Sequence, residues 1–147
     1  MENIVFMSIK EQHMNRILNK TKNHEFRTRI PNKNVDYIFV YIPVPIKELK
    51  YILRVDKPIK TPNKIAIEGI GNKEFNEATK EKYAYPIKNV YIINNPIKLN
   101  CLKEKYNFTA PQSFAYGEKY KELLEYIDKS GITKLYWKER YWWKENV

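Results

Sequence analysis

ILNKTKNHEFRTRIP, residues 17–31, is the stretch from which the rest of the chain can be placed. Across residues 24–30 it alternates with period two, so Glu25, Arg27 and Arg29 share one face of an extended segment while His24, Phe26, Thr28 and Ile30 share the other. That pattern predicts a β-strand with one charged and one apolar-leaning face. Upstream, His13, Met14, Ile17 and Leu18 recur at helical spacing. The run Ser8-Ile9-Lys10-Glu11 fits a capping box, in which the Ser8 hydroxyl accepts from the Glu11 amide and the carboxylate reaches back. A helix is therefore predicted from Ser8 to about the polar residues 19–23, after a short buried strand at residues 4–7. His13 reads as a packed or rim residue, because no second metal ligand lies near it.

Working downstream, Pro31 and residues 32–34 make a turn, and VDYIFVYI at 35–42 is a strongly β-prone central strand that Pro43 and Pro45 break. Residues 51–55 suit another strand and residues 57–63 a loop. Gly69 and Gly71 interrupt the next segment, with a short helix expected at 73–81. YAYPIKNVYII at 83–93 reads as a strand in which Pro86 requires an edge position or a bulge. Residues 99–106 suit a brief helix. Residues 111–129 suit a longer one, with Pro111 in its first turn, Phe114, Leu123, Leu124 and Ile127 on its apolar side, and Ser130-Gly131 as its stop. Strand, helix, charged strand, further strands and late helices make an α+β chain with a small, curved, mostly antiparallel sheet or barrel.

The chain's 147 residues, 43% of them apolar, suit one domain with a single core, residues 1–147. Residues 132–147 form its C-terminal strand or extension, in which Tyr136, Trp137, Tyr141, Trp142 and Trp143 alternate with Lys134, Lys138, Arg140 and Lys144. Such aromatics either stack bases beside phosphate-binding cations or, as buried tryptophans more often do, complete the core. Lys and Arg number 27 against 17 Asp and Glu, a formal charge of +10. This field draws polyanions, nucleic acid foremost, although lysines also serve simply to solvate a surface. A single cysteine, Cys101, excludes an internal disulfide, and with two histidines the chain lacks a zinc cluster of the usual spacing. No apolar run approaches a membrane span and no basic leader precedes the first one, so a soluble, cytoplasmic protein without metal or cofactor is expected.

The charged strand face is the candidate site. On a plain surface Glu25, Arg27 and Arg29 would be a solvated ladder of small energetic worth. Lining a cleft, Arg27 would grip a phosphate or base edge, Glu25 would accept from an exocyclic amine, and Lys22 would supply a mobile positive charge.

In four places the sequence resembles the ASCH domains, a branch of the PUA-like superfamily: VFMSIK at 5–10, the helix end with lysine and glutamate-x-arginine at 17–31, YAYPIKNV at 83–90, and APQSFAY at 110–116. The resemblance implies a PUA-like β-barrel with flanking helices and a nucleic-acid-binding cleft between the first helix and the barrel. It places Lys22, Glu25 and Arg27 in that cleft, Ser8 and Lys10 at its rim on the first helix, and Gln112 and Ser113 facing it from the start of the last helix. Free N–H groups there would favour an anion, while helix capping would account for the same two residues. RNA binding is the function implied. Some ASCH-like proteins are amidohydrolases of an acylated cytidine that use a lysine, a threonine and a glutamate. Here Lys22 matches the lysine, but Glu25 stands where the threonine would be. Thr21 and Thr28 lie close by, and Glu68, Glu74 and Glu77 are candidates for the acid. Metal-independent RNA cleavage is a further alternative, with Glu25 beside Lys22 and Arg27, and His24 or Tyr116 as auxiliary groups.

Overall fold

The computed structural model describes residues 1–135. The predicted strand at the N-terminus is β1 (Ile4–Ser8), and the helix behind it is α1 (Glu11–Leu18). β1 runs through Ser8, which pairs with Tyr41, and the Ile9 amide continues the ladder to the Tyr41 carbonyl. Strand pairing thus takes Ser8 away from the expected capping box. Lys10 occupies the N-cap position of α1 without a side-chain cap.

After α1 the chain turns at Lys20, whose φ of 68° is left-handed, and enters β2 (His24–Arg27). β3 (Tyr37–Ile42), β4 (Glu48–Val55) and the short β5 (Ile59–Lys60) follow. The short helix after Gly71 is α2 (Asn72–Asn76), and β6 (Tyr83–Lys98) then extends well past the expected end. α3 (Leu99–Tyr106) lies where helical spacing placed it. Residues 111–129, expected as one helix, are instead a loop, the two-residue strand β7 (Ala115–Tyr116), a 3-10 turn (Gly117–Tyr120) and α4 (Lys121–Ser130). β8 (Ile132–Lys134) pairs with β6, and the aromatic-basic run from Tyr136 onward lies outside the described residues.

The strands form one curled sheet in the order β2-β6-β4-β3-β1-β7, with β5 and β8 also on β6. Among the described residues only β1 and β3 pair in parallel, and the other pairings are antiparallel. Pro86 sits opposite His24, and the β4–β6 register shifts beside it, since Arg54 faces Asn89 but Val55 faces Ile87. Of the two options the sequence left open for Pro86, an edge position or a bulge, the register shift supplies the bulge.

Both faces of the sheet are buried, which explains why the central strand is continuously apolar. Val5, Met7, Ile38, Val40 and Leu53 point to the side where Met14 and Ile17 of α1 pack. Their neighbours Phe6, Phe39, Tyr41 and Ile52 point to the other side, where Leu102 of α3 and Leu123 and Ile127 of α4 cover them. Phe6 is fully buried there and meets Phe39, Phe108 and Tyr120 edge-on at 5.4–5.7 Å between ring centres. Among the described residues no helix is long and apolar enough to cross a membrane.

Candidate nucleic-acid site

β2 is an edge strand, and its alternation is the one the sequence predicts. His24 turns to the side of Phe26 and Phe75, with its ring stacked on Phe26 at 6.2 Å and its Nδ1 2.6 Å from the Asn23 amide oxygen. Glu25 and Arg27 turn the opposite way. The Arg27 Nε and one terminal nitrogen reach Glu25 Oε2 at 3.0 and 2.9 Å, a two-point grip by a planar guanidinium. The same guanidinium donates to the Ser8 carbonyl at 2.9 Å and to the Ser113 carbonyl at 3.4 Å. Arg27 therefore connects β2, at one edge of the curled sheet, to the end of β1 and the loop before β7, at the other. Nε and both terminal nitrogens of the guanidinium thus have partners inside the protein.

Glu25 Oε1 has different surroundings. It is buried and receives no hydrogen bond, and the Lys22 ammonium lies 3.6 Å from it. The Lys22 and Glu25 side chains are 9% and 7% exposed, so this pair sits behind the surface rather than on it. Lys22 is brought there by the end of α1, where the Arg16 carbonyl accepts from the amides of Thr21 and Lys22. Placing a lysine beyond a helix C-terminus also suits the helix dipole. Its ammonium lies 5.6 Å from the centre of the Phe26 ring.

His13 joins this group, a role its sequence context did not reveal. Burial and the positive charge of Lys22 hold its pKa below 6.5, while Glu25 pulls the other way. The signal lay in the helical spacing itself, which puts His13 one turn from Ile17 and so beside the helix end that delivers Lys22. Tyr85 lies opposite Glu25 in the β2–β6 ladder, and burial pushes its phenol up to about 12, with Arg27 opposing.

The remaining predicted residues separate. The Ser8 hydroxyl donates to the Pro111 carbonyl at 2.8 Å, so Ser8 ties β1 to the 110s loop instead of standing on α1. Lys10 is exposed at the start of α1 and adds to the positive field on His13. Arg29 lies beyond β2 and is exposed, so the charged face ends at Arg27. Gln112 is exposed in a loop, and Ser113 contributes its carbonyl to Arg27. Neither begins a helix, because Ala115 and Tyr116 are taken by the sheet edge, so the expected helix-terminal anion site is not formed. The Thr21 hydroxyl donates to Asn19 Oδ1 at 2.6 Å, and Thr28 is exposed past the strand end. Glu68, Glu74 and Glu77 are all exposed; Glu68 contributes its carbonyl to Asn23 and Asn72. His24 faces away from Glu25, and Tyr116 lies under the Lys33 ammonium.

No family model matches the sequence, and no curated protein matches it significantly. Solved structures do. Two single-site variants of the ASCH protein of Zymomonas mobilis superpose with a TM-score of 0.65 at 22% identity, over 84% of this chain and 96% and 98% of theirs. The unsubstituted Zymomonas mobilis protein gives 0.62 at 22% identity, over 84% of this chain and 94% of its own. The chain has the ASCH fold. This is the PUA-like arrangement expected from the four sequence motifs, here a half-barrel of mixed strands with four flanking helices among the described residues. Within the ASCH fold, the Lys22–Glu25–Arg27 cluster lies where α1 ends and β2 begins.

Proposed function

We propose that this protein binds nucleic acid, RNA foremost, by taking the polar edge of a base at Glu25 and Lys22. The observation that carries the reading is the divided Glu25 carboxylate. One oxygen is fixed by Arg27, and the other is buried 3.6 Å from the Lys22 ammonium with no hydrogen-bond donor. A buried anionic acceptor without a donor is costly, and a ligand group that donates to it recovers that cost. The exocyclic amine of a base supplies such a donor, and its neighbouring ring nitrogen or carbonyl accepts from the ammonium. Arg27 acts as the positioning residue that holds Glu25. Lys22 is the movable part: its flexible stem lets the ammonium swing aside as the base enters. The charge of +10 brings the polyanion to the site.

The test is fluorescence anisotropy with a labelled single-stranded RNA over a range of salt concentrations. Affinity is expected to fall as salt rises. A charge-assisted hydrogen bond contributes about 1.5–3 kcal/mol, so Lys22→Met should weaken binding by roughly tenfold or more, with its circular dichroism unchanged. Affinity that is flat in salt and indifferent to Lys22 would end the reading.

A further inference from the structure

At the far end of β6 from Glu25, a groove of about 430 Å³ is lined by Ile46, Lys47, Lys98, Leu99, Asn100 and Lys103. Ile46 and Leu99 are half-buried and form an apolar floor, while the three lysines are exposed around it. None of the three takes part in an ion pair among the described residues, although Glu48 stands opposite Lys98 in the sheet register. The groove is also fixed in place. Lys47 adopts a left-handed φ of 53°, and its carbonyl accepts from the Leu99 amide at 2.9 Å, tying the β3–β4 turn to the start of α3. α3 has no acid in its first turn, whereas α1, α2 and α4 carry Glu11, Glu74 and Glu122.

We infer that this groove is a second contact for a nucleic-acid strand, with phosphates on Lys47, Lys98 and Lys103 and a sugar or base face on Ile46 and Leu99. Unpaired ammonium groups around an apolar floor match the alternation of charge and flat surface along a single strand. The inference rests on the nucleic-acid reading of the Glu25 site but uses none of its residues. Glu25 pairs with Tyr85 near the start of β6, and Lys98 ends that strand. The two places are thus at most roughly 40 Å apart along it, and only a long oligonucleotide would engage both.

The experiment compares a labelled single-stranded RNA dodecamer on four proteins by anisotropy: wild type, Lys22→Met, the groove triple Lys47→Ala/Lys98→Ala/Lys103→Ala, and a charge-matched control. The control is Lys57→Ala/Lys64→Ala/Lys80→Ala, all exposed positions outside the groove. For the groove triple, the slope of log affinity against log salt should shrink by about 2, at about 0.7 per lost phosphate contact. Its affinity should fall on the order of tenfold relative to the control. Equal losses in both triples would overturn the groove by showing only a diffuse charge effect. A groove triple that binds like wild type, while Lys22→Met does not, would overturn the groove and leave the Glu25 reading standing. A wild-type protein that binds no RNA would overturn both.

Discussion

Glu25 carries one carboxylate whose two oxygens have different environments, and His13 lies within reach of that difference. The ring is disfavoured as a cation by burial and by Lys22 and is favoured by Glu25, with the first two prevailing. The folded state therefore holds the His13 proton less tightly than the unfolded chain does. Stability contributed in this way is present at pH values above 6.5, the ordinary histidine value, and is lost as pH falls through it toward the folded one. Melting temperature is expected to drop between about pH 7 and about pH 5, and His13→Gln should remove part of that drop. Parallel melting curves of the two proteins check this, and identical slopes would mean that His13 does not feel the cluster.

Elements here are held by side chains as much as by ladders. Asn23, at the start of β2, donates to the Glu68 carbonyl at 2.9 Å, and Asn72 at the start of α2 donates to Asn23 Oδ1 and to the carbonyls of Ala66 and Glu68. These two amides fasten the loop before α2 against β2 and so fix where Glu25 begins. Gly69 makes the fit possible: its φ is +125°, and a Cβ there would lie 2.8 Å from Asn23 Oδ1 and 2.9 Å from the Asn72 amide nitrogen. Gly69→Ala is expected to destabilise the protein by about 1–3 kcal/mol, read from the urea midpoint. Its RNA affinity should fall as well, because the same shift moves β2. Tertiary pairing also explains the missing long helix. Residues 111–129 have a helical pattern, but Ala115 and Tyr116 gain ladder bonds to Phe6 and Val5 of β1, and the helix starts only after that edge is satisfied.

Over the whole molecule, the curled sheet brings its two edges together without a continuous ladder, and Arg27 bridges the gap. Its guanidinium is bound to Glu25 on β2, to the Ser8 carbonyl at the end of β1 and to the Ser113 carbonyl before β7. Arg27→Ala would open that bridge and leave the Glu25 carboxylate buried beside Lys22 alone. Breaking a buried pair from one side costs about 3–5 kcal/mol, and chemical denaturation should show a loss of this size. Arg27→Lys should recover only part of it, because an ammonium cannot donate along a fork to one carboxylate and two carbonyls. A loss below that of an ordinary surface pair would mean that the edges are held by packing alone.

The short apolar run at 4–7, the helical spacing from His13 to Leu18, the period-two alternation at 24–30 and the β-prone run at 35–42 were enough to identify β1, α1, β2 and β3 and to put Glu25 and Arg27 together, because each such pattern is local. Pro86 likewise required an edge position or a bulge, and the structure has the bulge. What only the tertiary structure decided depends on partners far away in sequence. Ser8 went to a strand because Tyr41 lies beside it, Gln112 and Ser113 lost their helix to the sheet edge, and Arg27 became a clamp because carbonyls 19 and 86 residues away face it. His13 joined the cluster for the same reason. Hydrogen-bond capacity is written in the residue type, but which acceptor or charge meets it is set by how the chain closes on itself.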